Sequence, residues 1–148
     1  MKPEVFVDTS AWLAVSDRRD KYHRPASLEY RRLIEERSML VTTNLVIAET
    51  YILIRRIAGH APAMRFLGSL RGSPRLHTIC SDDVVETMAI EILESYTDQD
   101  FSFTDAVGFA VMQMRGIEHA FTFDNHFATM GFRIIPDLIR ATSLEVSY

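Results

Sequence analysis

The stretch Glu4-Val5-Phe6-Val7-Asp8-Thr9-Ser10-Ala11-Trp12 decides the fold. Its first four residues are largely apolar and β-prone, and they stop at an aspartate, which reads as a short buried strand. Asp8, Thr9 and Ser10 then offer three capping side chains ahead of an apolar run, so a helix follows at once. A strand that runs straight into a helix begins an alternation that the rest of the chain continues.

Residues 22–37 read as an amphipathic helix with Leu28, Leu33 and Ile34 on one side. Residues 39–42 form a second strand, and Asn44 caps a third helix ending near Gly59. A shorter helix over 62–70 closes at Gly72, Ser73 and Pro74. The strand at 76–79 leads through Ser81, Asp82 and Asp83 into a helix ending near Tyr96. Asp98 to Asp100 make a solvated acidic turn. Ser102 or Thr104 caps a helix over 105–114 that Gly116 stops. A strand at 119–123, a short helix after Asp124-Asn125-His126 and a strand at 133–135 complete the pattern. The connections are too long for hairpins, which implies a parallel sheet flanked by helices.

The composition suits one ordinary domain over residues 1–148: 17.0 kDa, 47% hydrophobic, 24% charged. Disordered and collagen-like classes are excluded. The chain contains no apolar run of the length a membrane span requires and begins with no signal-peptide pattern. The single cysteine, Cys80, lacks a disulfide partner within the chain and is expected to be a buried, inert thiol. A cytoplasmic protein is expected. The net charge of −4 is uneven: residues 1–80 carry 13 Lys/Arg against 8 Asp/Glu, and residues 81–148 carry 3 against 12. Arginine accounts for 14 of the 16 basic residues, which suits phosphate contacts but equally suits solvated helix faces. Net acidity disfavours a plain electrostatic nucleic-acid binder.

Dinucleotide, P-loop, nucleophile-elbow and zincin patterns are all absent. Four carboxylates remain. Asp8 falls at the carboxyl end of the first strand, where open α/β sheets place their ligand crevice; it could also be only an N-cap. Glu49 lies in Leu-Val-Ile-Ala-Glu-Thr-Tyr-Ile-Leu-Ile, an apolar setting in which a lone charge needs a partner, a metal or a helix edge. Asp105 starts an otherwise apolar helix, where the helix dipole alone would favour it. Asp124 ends a strand. Asp8, Asp105 and Asp124 converge on one edge of a parallel sheet, and oxygen-only ligands suit magnesium or manganese.

The order Val-Phe-Val-Asp-Thr-Ser-Ala-Trp, Asn-Leu-Val-Ile-Ala-Glu-Thr, Phe-Ser-Phe-Thr-Asp-Ala-Val-Gly and Ala-Phe-Thr-Phe-Asp-Asn-His-Phe resembles the PIN-domain family, particularly VapC-type toxins. The four acids are spaced by 41, 56 and 19 residues. The resemblance implies a three-layer α/β/α fold of Rossmann-like topology and a metal-dependent endoribonuclease acting on RNA. It also implies a homodimer held by a cognate antitoxin. It assigns the acidic site to Asp8, Glu49, Asp105 and Asp124, with Ser10 and Thr122 as supporting hydroxyls. Those hydroxyls could instead be plain capping and strand residues. His126 fits the pattern without an assigned role, and residues 60–99 carry little of it.

The leading expectation is hydrolysis of an RNA phosphodiester by metal-activated water. Asp8, Asp105 and Asp124 would hold the ion, and Glu49 would either ligate it or orient the water. The competing readings are a non-catalytic RNA- or protein-binding module and a solitary RNA-processing nuclease without an antitoxin. A phosphatase using Asp8 as nucleophile lacks a second acid two residues on. Trp12, Tyr51, Met64 and Phe66 would line an antitoxin groove or belong to the core.

Overall fold

The computed structural model describes residues 3–139. β1 (Glu4–Val7) runs into α1 (Thr9–Ser16) and α2 (His23–Glu35), followed by β2 (Met39–Thr43). α3 (Asn44–Ala58) and α4 (His60–Arg71) lead to β3 (Leu76–Ile79). α5 (Asp83–Ser95) and α6 (Phe103–Arg115) precede β4 (His119–Phe121), and α7 (His126–Thr129) precedes β5 (Arg133–Ile135). The five strands form one sheet in the order β3-β2-β1-β4-β5, every pair parallel. Helices α1 to α4 pack against one another, as do α5 and α6, giving the three-layer α/β/α arrangement.

The chain winds outward from β1 to β3 and then crosses back to β4 on the other side of β1. That reversal lies between β1 and β4, and open α/β sheets bind ligands at the carboxyl ends of strands at such a point. Strand β1 is central for a physical reason: Val5, Phe6 and Val7 are all buried, as expected of a strand covered on both faces. The buried run Ala106–Met112 seats α6 on the sheet. Gly108 allows the close approach, because a Cβ there would stand 3.0 Å from the Phe6 ring.

Several local expectations need correction. Thr43, not Asn44, caps α3 by accepting from the Val46 amide at 3.1 Å. The Asn44 side chain instead accepts from the Ser81 amide, tying α3 to the chain after β3. Strand β4 ends at Phe121 rather than 123; the Thr122 amide still donates to the Ile135 carbonyl, and beyond it the chain turns, with the Asp124 amide donating to the Thr122 hydroxyl. Leu33 faces the core, but Leu28 and Ile34 face solvent. Cys80 is exposed rather than buried. Trp12 and Phe66 belong to the core, whereas Met64 is exposed.

Candidate metal centre

The acidic edge is built from the ends of β1 and β4 and the first turn of α6. Asp8 occupies the N-cap position of α1, yet its side chain makes no capping bond. Its Oδ2 instead accepts two hydroxyl protons, from Ser10 at 3.0 Å and from Thr122 at 2.9 Å. Each hydroxyl has one proton, so the 3.1 Å separation of Ser10 Oγ and Thr122 Oγ1 is then a packing contact. Both oxygens also accept: Ser10 Oγ from the Phe123 amide at 2.9 Å, and Thr122 Oγ1 from the Asp124 amide at 3.0 Å. Two hydroxyls thus fasten the start of the chain to the segment carrying Asp124. They are neither plain caps nor plain strand residues.

Asp8 is only 4% exposed. Burial pushes its carboxyl up to about 6, against the opposing hydrogen bonds from Thr122, Thr9 and Ser10, and the nearby charge of Asp105 pushes the same way as burial. Asp105 sits in the first turn of α6 within a reciprocal cap: its amide donates to Ser102 Oγ, and its Oδ2 accepts from the Ser102 amide, both at 3.0 Å. The dipole explanation for Asp105 therefore holds locally, and the residue still reaches the site. Asp124 Oδ1 accepts from the His126 amide at 2.9 Å, which forms an Asx turn.

His126 is the residue that sequence reasoning left without a role. Its Nδ1 lies 3.4 Å from Asp105 Oδ2 and 3.4 Å from Asp124 Oδ1. Ligand atoms of Asp105, Asp124 and His126 all fall within 4.8 Å of one another. The signal was the Asp-x-His spacing, which an Asx turn converts into proximity. Glu49, by contrast, is half-buried on α3 and makes no hydrogen bond or ion pair with the described residues. The structure groups Asp105 and Asp124 with His126, whereas Asp8 stands outside that cluster, tied to it through Thr122 and the nearby charge of Asp105, and Glu49 makes no direct contact with any of them.

Among the described residues, no Lys or Arg pairs with Asp8, Asp105 or Asp124. A buried carboxylate without a cation is costly, and the donor set is the hard oxygen type that divalent ions prefer. The residues fit a divalent metal. A cavity of about 830 Å³ opens at the opposite, amino edge of the sheet beside Glu4, Met39, His77 and His119, away from these acids.

Residues 5–133 match the PIN domain family. The chain is 35% identical over 130 residues to the 23S rRNA-specific endonuclease VapC20 of Mycobacterium tuberculosis, covering 86% of this chain and 95% of that protein. The crystal structure of VapC20, described as a sarcin–ricin-loop-cleaving toxin, superposes with a TM-score of 0.77 over the same shares at 33% identity. FitAcB from Neisseria gonorrhoeae shares the fold at 13% identity and a TM-score of 0.67, covering 88% of this chain and 95% of its own. No helix among the described residues is long and apolar enough to cross a membrane. With the acidic edge at the switch point and these likenesses together, the chain belongs to the PIN-domain family of nucleases, as a homologue of VapC-type ribonuclease toxins.

Proposed function

We propose that this protein is a divalent-metal-dependent endoribonuclease, the toxin of a type II toxin–antitoxin pair, and that it cleaves large-subunit ribosomal RNA at the sarcin–ricin loop. The observation that carries the activity is the buried Asp8 carboxylate, held by Ser10 and Thr122 beside Asp105 and, among the described residues, paired with no Lys or Arg. The identity to VapC20 and the share of both chains it spans support this choice of substrate.

Asp8, Asp105 and Asp124 would hold Mg²⁺ or Mn²⁺, which lowers the pKa of water and offsets charge developing on the phosphate. Thr122 and Ser10 orient Asp8, so its geometry is set before substrate arrives. His126 Nδ1 lies between Asp105 and Asp124, 3.4 Å from a carboxylate oxygen of each, and helps fix their relative positions. Glu49 has no side-chain partner among the described residues, so its acceptor capacity is unspent. It serves either as a further ligand or as the acceptor that orients the attacking water. A cytoplasmic toxin of this kind needs an antitoxin and functions as a homodimer. Exposed Ile52, Ile57 and Met64 on α3 and α4 supply apolar surface for partners to cover.

The test is cleavage of labelled RNAs, a sarcin–ricin stem–loop among them, in magnesium, manganese or EDTA. Wild type should cut the stem–loop only with metal, and Asp8→Asn should not. Cleavage that survives EDTA would end the metal reading. Binding without cleavage under any ion would favour the non-catalytic module.

A further inference from the structure

The rings of Tyr22 and Phe123 lie parallel, 4° apart, with centroids separated by 4.6 Å. Tyr22 closes the connection between α1 and α2, and Phe123 immediately precedes Asp124. The Phe123 amide donates to Ser10 Oγ, one of the two hydroxyls that hold Asp8. The stack therefore docks the 17–22 connection directly against the acidic edge.

That connection is ordered by its own polar contacts. Asp17 Oδ1 accepts from the Arg19 amide at 3.0 Å, and Asp20 Oδ1 accepts from the Tyr22 amide at 2.8 Å. The Arg19 guanidinium reaches the Ile57 carbonyl at the end of α3 at 3.3 Å. It also carries exposed Arg18, Arg19 and Lys21. Phe123 covers one face of the Tyr22 ring. Lys21 Nζ stands 4.9 Å from the ring centroid, a cation–π contact with an exposed ammonium. A half-buried ring backed by one aromatic, with an exposed ammonium over it, can accept a nucleobase once that ammonium moves aside. The displaced ammonium then meets the adjoining phosphate.

We infer that Tyr22 and Lys21 form the subsite for the nucleotide beside the scissile phosphate: its base stacks on Tyr22, and Lys21 pairs with its phosphate. Phe123 is a positioning residue that holds the Tyr22 ring in plane. This deepens the ribonuclease reading and rests on it. Base–aromatic stacking tolerates sequence, so the subsite supplies affinity and leaves cleavage-site choice to other contacts.

The test separates the two readings by measuring binding in EDTA. The probes are a fluorescein-labelled sarcin–ricin stem–loop and single-stranded oligo(A). Tyr22→Ala should weaken binding about tenfold or more, and Tyr22→Phe should restore it. Lys21→Gln should reduce the slope of log affinity against log salt by about 0.7. With metal, Tyr22→Ala should raise KM far more than it lowers kcat. Wild-type affinity in a folded Tyr22→Ala, or no detectable binding of either probe by wild type, overturns the subsite. Should Tyr22→Ala not fold, an unchanged salt slope in Lys21→Gln overturns it alone. Loss of cleavage in Asp8→Asn with unchanged binding by Tyr22→Ala would retain the nuclease and discard only the subsite.

Discussion

Thr122 and Asp8 stand 114 residues apart in sequence, and the buried threonine hydroxyl donates to the aspartate at 2.9 Å. The same oxygen accepts the Asp124 amide proton. One hydroxyl therefore sets the position of two acids. Thr122→Val keeps the shape and removes both bonds, leaving a buried carboxylate and an amide short of a partner. We expect a loss of about 2–3 kcal/mol in urea unfolding with EDTA present. Thr122→Ser should recover most of it. A loss within error for Thr122→Val would show that the hydroxyl does not hold the edge together.

The raised pKa of Asp8 makes stability depend on pH. Its carboxyl titrates near 3.8 in the unfolded chain and near 6 when folded. Below 3.8 it is neutral in both states. Between these values the unfolded chain sheds its proton first, so folded stability falls as pH rises and levels off above 6. The contribution lost is about 3 kcal/mol. In metal-free buffer, Asp8→Asn should gain stability over wild type of this order at pH 7.5 and little at pH 3.5. Chemical denaturation at both pH values checks this, and a pH-independent difference would contradict it.

His126→Ala removes the ring between Asp105 and Asp124 while sparing the backbone bond to Asp124 Oδ1. It also loses an edge contact to Phe101, with centroids 5.0 Å apart. We expect a loss of about 10- to 100-fold in cleavage or in manganese affinity, with the fold retained. Calorimetry of manganese binding alongside cleavage rates would check both. Wild-type values for each would leave His126 as a spacer.

Gly108→Ala should destabilise. Alanine gains about 1 kcal/mol in helix propensity, but its Cβ would meet the fully buried Phe6 ring, an overpacking cost of about 1–3 kcal/mol. Gly68→Ala on α4 meets nothing within 4 Å and should stabilise by about 0.5–1 kcal/mol. Thermal unfolding of the pair reads the sign directly; stabilisation by both would mean that Phe6 yields.

The parts of this molecule that the sequence made legible are those governed by short-range pattern. Val5–Val7 ending at Asp8 shows a buried strand and its ligand-facing end, and the helices follow from periodicity within a few residues. Tertiary partners decided the rest. Asn44 has the chemistry of a cap, but Ser81 claims its side chain, and no local pattern reveals a partner 37 residues away. Leu28 and Ile34 share the helical period of Leu33 yet face solvent, because neither periodicity nor composition states which neighbours cover a helix. Among the site residues, Asp8, Asp105 and Asp124 were marked by their places at strand and helix ends. His126 stood in the pattern without a role, because the Asp-x-His spacing becomes proximity to Asp105 and Asp124 only through the Asx turn.

The central pairing of β1 with β4 also orders events in time. Residue 8 leaves the ribosome well before residue 122, and at about 5–20 residues per second the interval is roughly 6–23 s. Through that interval the nascent chain has Asp8 and Ser10, and late in it Asp105, but neither the Thr122 hydroxyl nor Asp124. No amino-terminal fragment that stops short of residue 124 contains the assembled edge. The acidic edge is thus completed only once Thr122 and Asp124 have both been made.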